Sequence, residues 1–88
     1  MQIEAETVAD VTKRLRRAEG QIRGVIAMLE AKRDCAEIVT QLAAVSRALD
    51  RAGFKVIAGG LQQCLESDDL EERAANIAQM EKLFLSLA

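Results

Sequence analysis

The stretch CAEIVTQLAAVSRALDRAGFKVIAGGLQQC, residues 35–64, decides the fold of this chain. It begins and ends with the chain's two cysteines, contains no proline, and repeats apolar residues at the three- and four-residue spacing of a helix. Such a helix separates Cys35 from Cys64 by about 44 Å, while its 100° turn per residue brings both side chains to the same face. The two thiols therefore cannot meet within one chain.

Antiparallel pairing of two copies of this helix would bring the cysteines together. If paired residue numbers sum to about 99, Cys35 lies beside Cys64 of the partner subunit, and the two-fold axis passes near Leu49 and Asp50. The same register pairs apolar residues, which favours it. It puts Leu42 near Ile57 of the partner subunit, Ile38 near Leu61 of the partner subunit, and Val45 near Phe54 of the partner subunit.

Composition indicates one all-α domain spanning residues 1–88. Half of the residues are apolar, two phenylalanines are the only aromatic residues, and the formal net charge is −2. No apolar stretch is long enough for a membrane span, and the first residues lack a signal peptide's pattern, so we expect a cytoplasmic protein with no membrane contact. In that reducing compartment, the cysteines suggest metal binding, catalysis or redox sensing, or they are simply small buried apolar residues.

The apolar spacing predicts three helices. The first runs from an N-cap at Thr7 to about Ala31, and Lys32 and Arg33 form a short connection. Asp34 and Glu37 resemble a capping box for the second helix, which Gly59 and Gly60 could break. After an acidic turn, the third helix spans Leu70 to Leu87. The second helix has too much apolar surface for one neighbour to cover, so we expect self-association. The first helix carries an apolar stripe of Val8, Val11, Leu15, Ala18, Ile22, Val25 and Leu29.

The first helix also carries a basic block on its outward side. Gly20 and Gly24 lie among its arginines, where they would let a polyanion approach the backbone closely. Contacts to DNA phosphates would suit this surface, although an ordinary solvated charged face has the same pattern. The candidate DNA-binding residues on this helix are Lys13, Arg14, Arg16, Arg17 and Arg23.

Three sequence features together resemble the copper-sensitive operon repressor (CsoR) family. They are RLRRAEGQIRG at residues 14–24, Cys35, and TQLAAVSRALD at residues 40–50, with the match continuing through Cys64. The resemblance implies an all-helical dimer of dimers without a helix-turn-helix motif. It also implies that arginines hold operator DNA until an inducer binds near the cysteine of the second helix. By position, Arg14 and Arg51 match family residues implicated in DNA binding.

The inducer expected from the resemblance depends on a missing histidine. Copper-sensing members have a histidine four residues before the second cysteine, but Gly60 occupies that position and the whole chain contains no histidine. The sequence therefore resembles the persulfide-sensing, CstR-like branch, with no resident cofactor. A copper(I)-responsive repressor is the alternative, because the thiolates of Cys35 and Cys64 alone can bind copper(I). The formaldehyde-sensing branch shares only the first cysteine.

Local charges predict that the two thiols differ in reactivity. Cys35 follows an N-cap and two basic residues, which favours its thiolate, whereas acidic residues follow Cys64 and oppose its ionisation. We expect Cys35 to attack a persulfide or polysulfide and Cys64 of the partner subunit to resolve the product as an interchain di-, tri- or tetrasulfide. Gly60 would leave space for the longer bridges.

Two other classes of function follow less well from the residues. A thiol enzyme lacks support, because the chain has no histidine base, no CxxC motif and no evident substrate pocket. A helical interaction module with inert cysteines is the other possibility, and loss of DNA binding on replacing Arg14 and Arg17 with Ala would argue strongly against it.

Overall fold

The computed structural model describes residues 3–87, apart from the side chain of Cys64. It contains three α-helices: α1 at Ala5–Glu30, α2 at Cys35–Leu65 and α3 at Leu70–Leu87. Within residues 3–87 there is no β-strand, and none of the helices in that range is both long and apolar enough to cross a membrane. The predicted all-α, three-helix architecture is confirmed.

The predicted N-cap at Thr7 is wrong. Helix α1 begins at Ala5, and its first hydrogen bond runs from the Val8 N–H to the Glu4 carbonyl oxygen at 2.9 Å. Glu4 is the N-cap residue and makes no side-chain capping bond. The side chain of Thr7 instead lies against Gly59 of α2, where a Cβ added to the glycine would be 2.9 Å from both Thr7 Cγ2 and Thr7 Oγ1. Thr7 therefore contributes to the contact between α1 and α2 and does not cap α1. Local sequence does not reveal such a contact between helices.

Helices α1 and α2 form an antiparallel hairpin with a narrow core. In α1, every seventh residue of the stripe is buried, namely Val11, Ala18 and Val25. Helix α2 contributes Val45 and Ala52, which are also seven residues apart and buried. Because α1 packs against α2 alone in the described part of the chain, this seven-residue spacing on both helices forms the seam between them.

The rest of the predicted stripe stays exposed along one side of the hairpin. These α1 residues are turned away from the buried seam and keep between 42 and 56% of their surface accessible. On the same side, Leu42 and Leu49 of α2 are exposed to similar extents. We call this surface the apolar flank. It comprises Val8, Leu15, Ile22 and Leu29 of α1 with Leu42 and Leu49 of α2.

Helix α3 folds back onto the second half of α2. Asp69 caps it by accepting hydrogen bonds from the N–H groups of Glu71 at 3.0 Å and Glu72 at 3.3 Å. The Phe84 ring packs edge to face on Phe54 of α2, with ring centroids 5.2 Å apart. The first half of α2 has no such cover within the described residues.

The protomer is unusually extended for its length. It measures 56 × 24 × 12 Å with a radius of gyration of 17.0 Å, whereas a compact domain of this length has about 12 Å. Its accessible surface is 6635 Å², against about 5,100 Å² for a compact monomer of the same mass. Much apolar surface therefore remains without a neighbour in the single chain.

Candidate functional site

Cys35 is the first residue of α2, and its side chain is exposed. The preceding Asp34 caps the helix, because its Oδ2 accepts a hydrogen bond from the Ala36 N–H at 3.2 Å. The Asp34 carbonyl oxygen accepts the first backbone bond of the helix, from the Ile38 N–H at 3.1 Å. The structure thus puts the Cys35 thiol on the first turn of a capped helix, at the positive end of its dipole.

The second half of the predicted capping box does not form. Glu37 pairs instead with Arg33, whose Nε lies 3.0 Å from Glu37 Oε2 and whose Nη2 lies 3.2 Å from Glu37 Oε1. This two-bond geometry suits the planar guanidinium and competes with a bond back to the Asp34 backbone. The Glu37 carboxylate therefore largely neutralises the positive charge of Arg33 near Cys35.

The turn before Cys35 has a defined geometry. Lys32 has a φ of 56°, the left-handed conformation that ends many helices. Its N–H donates to the Leu29 carbonyl oxygen at 3.1 Å, and the Arg33 N–H donates to the Met28 carbonyl oxygen at 3.0 Å. These two bonds make a Schellman motif, which fixes where α2 and its first residue begin.

Cys64 lies near the other end of the same helix, and its side chain is outside the described part of the structure. Helix α2 continues without a break through Gly59 and Gly60 to Leu65. Its rise separates the Cα atoms of the two cysteines by about 44 Å. The break that Gly59 and Gly60 could have caused does not occur, and the space predicted beside the buried Gly60 stays a prediction.

Arginines from two helices converge on the side of the hairpin opposite the apolar flank. Arg14 and Arg17 of α1 and Arg51 of α2 line one depression of about 210 Å³ together with Gln21. Arg14 and Arg51 also line a neighbouring depression with Lys55. We call this surface, Arg14, Arg17, Gln21, Arg51 and Lys55, the basic flank. Its clustered cations and polar donor are the groups that bind phosphate oxygens.

The other basic residues of α1 lie farther round the helix. The side chains of Lys13, Arg16 and Arg23 are exposed, and none of them lines either of these two depressions. Gly20 and Gly24 have open space around them, because a Cβ on either residue would meet nothing within 4 Å. The predicted outward basic face is present, but only Arg14 and Arg17 of its cations join Arg51.

Lys55 and Gln21 are members of the basic flank that sequence reasoning missed. Lys55 follows Arg51 by four residues, so both lie on one face of α2. Gln21 follows Arg17 by four residues on α1 in the same way. This spacing could have identified them, but only once the two helices were known to be antiparallel neighbours.

The residues offer few ligands for a metal ion. Across the described part of the chain, no group of three or more histidine, cysteine, aspartate or glutamate side chains is arranged to hold one. The absence of histidine from the sequence removes the imidazole ligands that nickel, cobalt and many copper sites use. Cys35 is the cysteine whose thiol the structure describes.

Comparisons with known proteins agree with the fold. Residues 7–86 match the family model described as metal-sensitive transcriptional repressor. The chain is 31% identical over 78 residues to the copper-sensing transcriptional repressor CsoR of Bacillus subtilis, covering 84% of this chain and 77% of that protein. It is 40% identical over 53 residues to the copper-sensing transcriptional repressor RicR of Mycobacterium tuberculosis, covering 60% of this chain and only 55% of that protein.

A solved structure extends the likeness to the whole chain. The nickel-responsive transcriptional regulator InrS superposes with a TM-score of 0.80 at 27% sequence identity, over 100% of this chain and 98% of that chain. The family match covers nearly the entire sequence, including both cysteines and the basic block of α1. This chain therefore belongs to the metal-sensitive transcriptional repressor family.

Proposed function

We propose that this chain is a DNA-binding transcriptional repressor that senses persulfides through Cys35 of one subunit and Cys64 of the partner subunit. One observation carries the proposal: α2 runs unbroken from the exposed Cys35 to beyond Cys64. The cysteines of one chain therefore stay about 44 Å apart, and a second copy must supply the other thiol. The protein's place in a repressor family supports the DNA-binding part.

The apolar flank supports the required assembly. Leu42 and Leu49 leave 49% and 43% of their surfaces exposed, on a protomer with more surface than a compact chain of its mass. Covering such a surface with a second copy removes apolar area from water. We therefore propose a homodimer with antiparallel α2 helices, and a tetramer formed by two such dimers.

One apolar pair of the predicted register includes a residue that its own protomer buries. Phe54 packs on Phe84 of α3 but keeps 48% of its surface accessible, whereas Val45 is buried within its own protomer, so Val45 is not exposed for the contact with a partner subunit that the sequence predicts. The reason is that α1 occupies part of the apolar surface of α2 that the sequence assigns to a partner. Leu42, Leu49 and Cys35 remain free, and the register that sums to about 99 uses all three.

The basic flank supports DNA binding by the assembled protein. It lies on the side of the hairpin opposite the apolar flank, so dimer formation through the latter leaves Arg14, Arg17 and Arg51 facing solvent. Phosphate contacts repeated over several subunits give affinity without a recognition helix and make binding fall steeply with salt concentration. The exposed Lys13, Arg16 and Arg23 extend the same positive surface along α1.

The proposed sensing reaction uses the persulfide as the oxidant. The Cys35 thiolate attacks the outer sulfur of R–S–SH, which forms Cys35–S–SH and releases R–S⁻. The Cys64 thiolate of the partner subunit then attacks Cys35 Sγ, the inner sulfur of this persulfide, which forms the interchain disulfide and releases HS⁻. Condensation of persulfides on both cysteines gives a trisulfide and releases H₂S. If a second R–S–SH first extends one persulfide to Cys–S–S–SH and releases R–S⁻, attack of the other cysteine's persulfide on its middle sulfur gives the tetrasulfide and releases HS⁻. The covalent bridge fixes the subunits in an arrangement with lower affinity for DNA.

Glutathione persulfide tests this function. Wild-type protein bound to a duplex that it has enriched from a random-sequence pool should release it on treatment, and intact mass spectrometry should show crosslinked dimers with zero, one or two additional sulfur atoms. Cys35→Ser should neither crosslink nor release DNA. Cys64→Ser should gain sulfur at Cys35 without a crosslink. Wild-type monomers that lack added sulfur after treatment would contradict the mechanism.

Copper(I) sensing is the second candidate, because RicR and the Bacillus subtilis CsoR are copper-sensing repressors. Two thiolates from different subunits provide soft ligands for copper(I) but lack a histidine partner. Competition with a copper(I) chelator separates the candidates. A tight stoichiometric site, together with DNA release by copper(I) and no reaction with glutathione persulfide, would favour copper.

A further inference from the structure

Asp10 is an acidic residue on the edge of a surface built from cations. Its carboxylate oxygens Oδ1 and Oδ2 each accept a hydrogen bond from Arg14 Nε, both at 3.3 Å. Asp10 also lines a depression with Lys55, next to the one shared by Arg14 and Arg51. A carboxylate at this place repels DNA phosphates, so its effect on the neighbouring arginine must be weighed against its charge.

The Asp10 bond leaves most of the Arg14 guanidinium free. Arginine has five N–H donors, one on Nε and four on the two Nη atoms. In the described residues, Asp10 engages Arg14 only through Nε, and the side chain of Arg14 is 40% exposed. The four Nη donors are the ones suited to a two-bond contact with a phosphate. Arg14 lines both depressions of the basic flank, so its orientation affects the whole surface.

We infer that Asp10 is a positioning residue for DNA binding, which holds the Arg14 guanidinium through Nε so that its Nη groups face a phosphate. This inference rests on the proposed function. A long arginine side chain loses rotamer freedom when it binds, and a partner that orders it beforehand lowers that cost. The gain from ordering exceeds the repulsion between Asp10 and the DNA.

Glu19 provides a matched control on the same helix. It also pairs with an arginine four residues later, but the distance from Glu19 Oε1 to Arg23 Nη2 is 4.0 Å and the side chains are 65% and 77% exposed. This pair holds its arginine weakly and lies outside the depressions of the basic flank. Glu19→Ala therefore removes one negative charge from α1 without releasing a tightly held arginine.

The test measures binding of full-length variants to a fluorescein-labelled duplex that the wild-type protein has enriched from a random-sequence pool. Asp10→Ala should weaken binding about 5-fold. It should also make the slope of log K (the association constant) against log salt concentration less negative by about 0.9, the value for one lost phosphate contact. Asp10→Asn keeps an oxygen acceptor for Arg14 Nε and removes the charge, so it should bind at least as tightly as wild type. Glu19→Ala should bind up to about 3-fold more tightly.

Three outcomes would overturn the inference. Equal strengthening by Asp10→Ala and Asp10→Asn would show that Asp10 acts only through its charge. A further loss on adding Asp10→Ala to Arg14→Ala would show that it does not act through Arg14. Weakening by both Asp10 variants together with a lower Tm would show a structural role. If the wild-type protein enriches no duplex, the proposed function itself fails, which is distinct from these results.

Discussion

Lys32 ends α1 in a backbone conformation that suits glycine better than lysine. Its φ of 56° brings Cβ close to the following carbonyl oxygen. We predict that Lys32→Gly raises the free energy of unfolding by about 0.5–1 kcal/mol, because glycine lacks that Cβ but loses more backbone freedom on folding. Urea denaturation measures the change. Lys32→Ala removes the same charge and keeps the Cβ, so a similar gain in that control would refute the explanation.

Gly20 and Gly24 weaken α1 without any contact inside the protomer that requires them. Since a Cβ on either would meet nothing within 4 Å, we predict that Gly20→Ala and Gly24→Ala each stabilise the protein by about 0.8–1 kcal/mol. The same changes should weaken duplex binding, because the new methyl groups hold the phosphate backbone farther from α1. Thermal unfolding and fluorescence anisotropy measure the two effects. Greater stability with unchanged binding would contradict close approach of DNA at these residues.

Single residues can be predicted from sequence where the signal is local. The position of Asp34 before an apolar run predicts a cap, and its bond to the Ala36 N–H confirms this. Thr7 has the same type of signal, but its side chain packs on Gly59, more than fifty residues away in sequence. The spacing of Glu37 from Asp34 predicts a capping box, yet Arg33 at a spacing of four offers Glu37 two charged donors. The errors arise where another partner competes for the side chain.

At the scale of the helices, the boundaries of α2 and α3 follow from sequence, whereas the effect of the glycines does not. Three glycines predict weak points in α2, but the helix is continuous. Neighbouring elements occupy the space that the missing side chains leave, with Thr7 against Gly59 and Leu87 against Gly53. Packing thus outweighs helix propensity here. The sequence predicts one continuous apolar stripe on α1. In the hairpin this stripe has a buried row and an exposed row, because α2 covers only every seventh residue of it.

The contact between Thr7 and Gly59 sets how closely α1 approaches α2. A Cβ at Gly59 would lie 2.9 Å from the Thr7 methyl and hydroxyl groups, so one of them must move. We predict that Gly59→Ala destabilises the wild-type protein by up to about 2 kcal/mol, because an overpacking cost of about 1–3 kcal/mol is partly offset by the gain of about 0.8–1 kcal/mol from removing a helical glycine. In a Thr7→Ala background the same change should cost much less, because those two atoms are absent. A double-mutant cycle from urea denaturation gives the coupling. Equal destabilisation by Gly59→Ala in both backgrounds would contradict a direct contact between Thr7 and Gly59.

At the scale of the molecule, self-association is predictable from sequence but its contacts are not. The excess of apolar residues on α2 indicates that a second copy is needed, which agrees with the extended 56 Å protomer. The sequence does not distinguish apolar residues that α1 covers, such as Val45, from those left for a partner. The sequence likewise predicts only part of the basic flank. It shows the arginines of α1, but Arg51 comes close to Arg14 only because α1 and α2 fold into a hairpin.

A single cysteine at position 49 tests the arrangement of the subunits. The proposed two-fold axis passes beside Leu49, which is exposed. In a Cys35→Ser and Cys64→Ser background, Leu49→Cys should therefore crosslink to its own copy on treatment with diamide, as seen on a non-reducing gel. Leu29→Cys in the same background is the control, since that residue is at least as accessible but lies near the end of α1. Crosslinking of Leu29→Cys without Leu49→Cys would exclude the proposed axis.

The continuous α2 also has a mechanical consequence. It spans 31 residues, or about 46 Å, and behaves as a stiff lever. If a longer or shorter sulfur bridge tilts one end by about 5°, the other end swings by about 4 Å. Arg51 lies about halfway along this lever, where the swing is about 2 Å, while Arg14 and Arg17 belong to α1, so the tilt would change the spacing of guanidinium groups far from the proposed sulfur bridge.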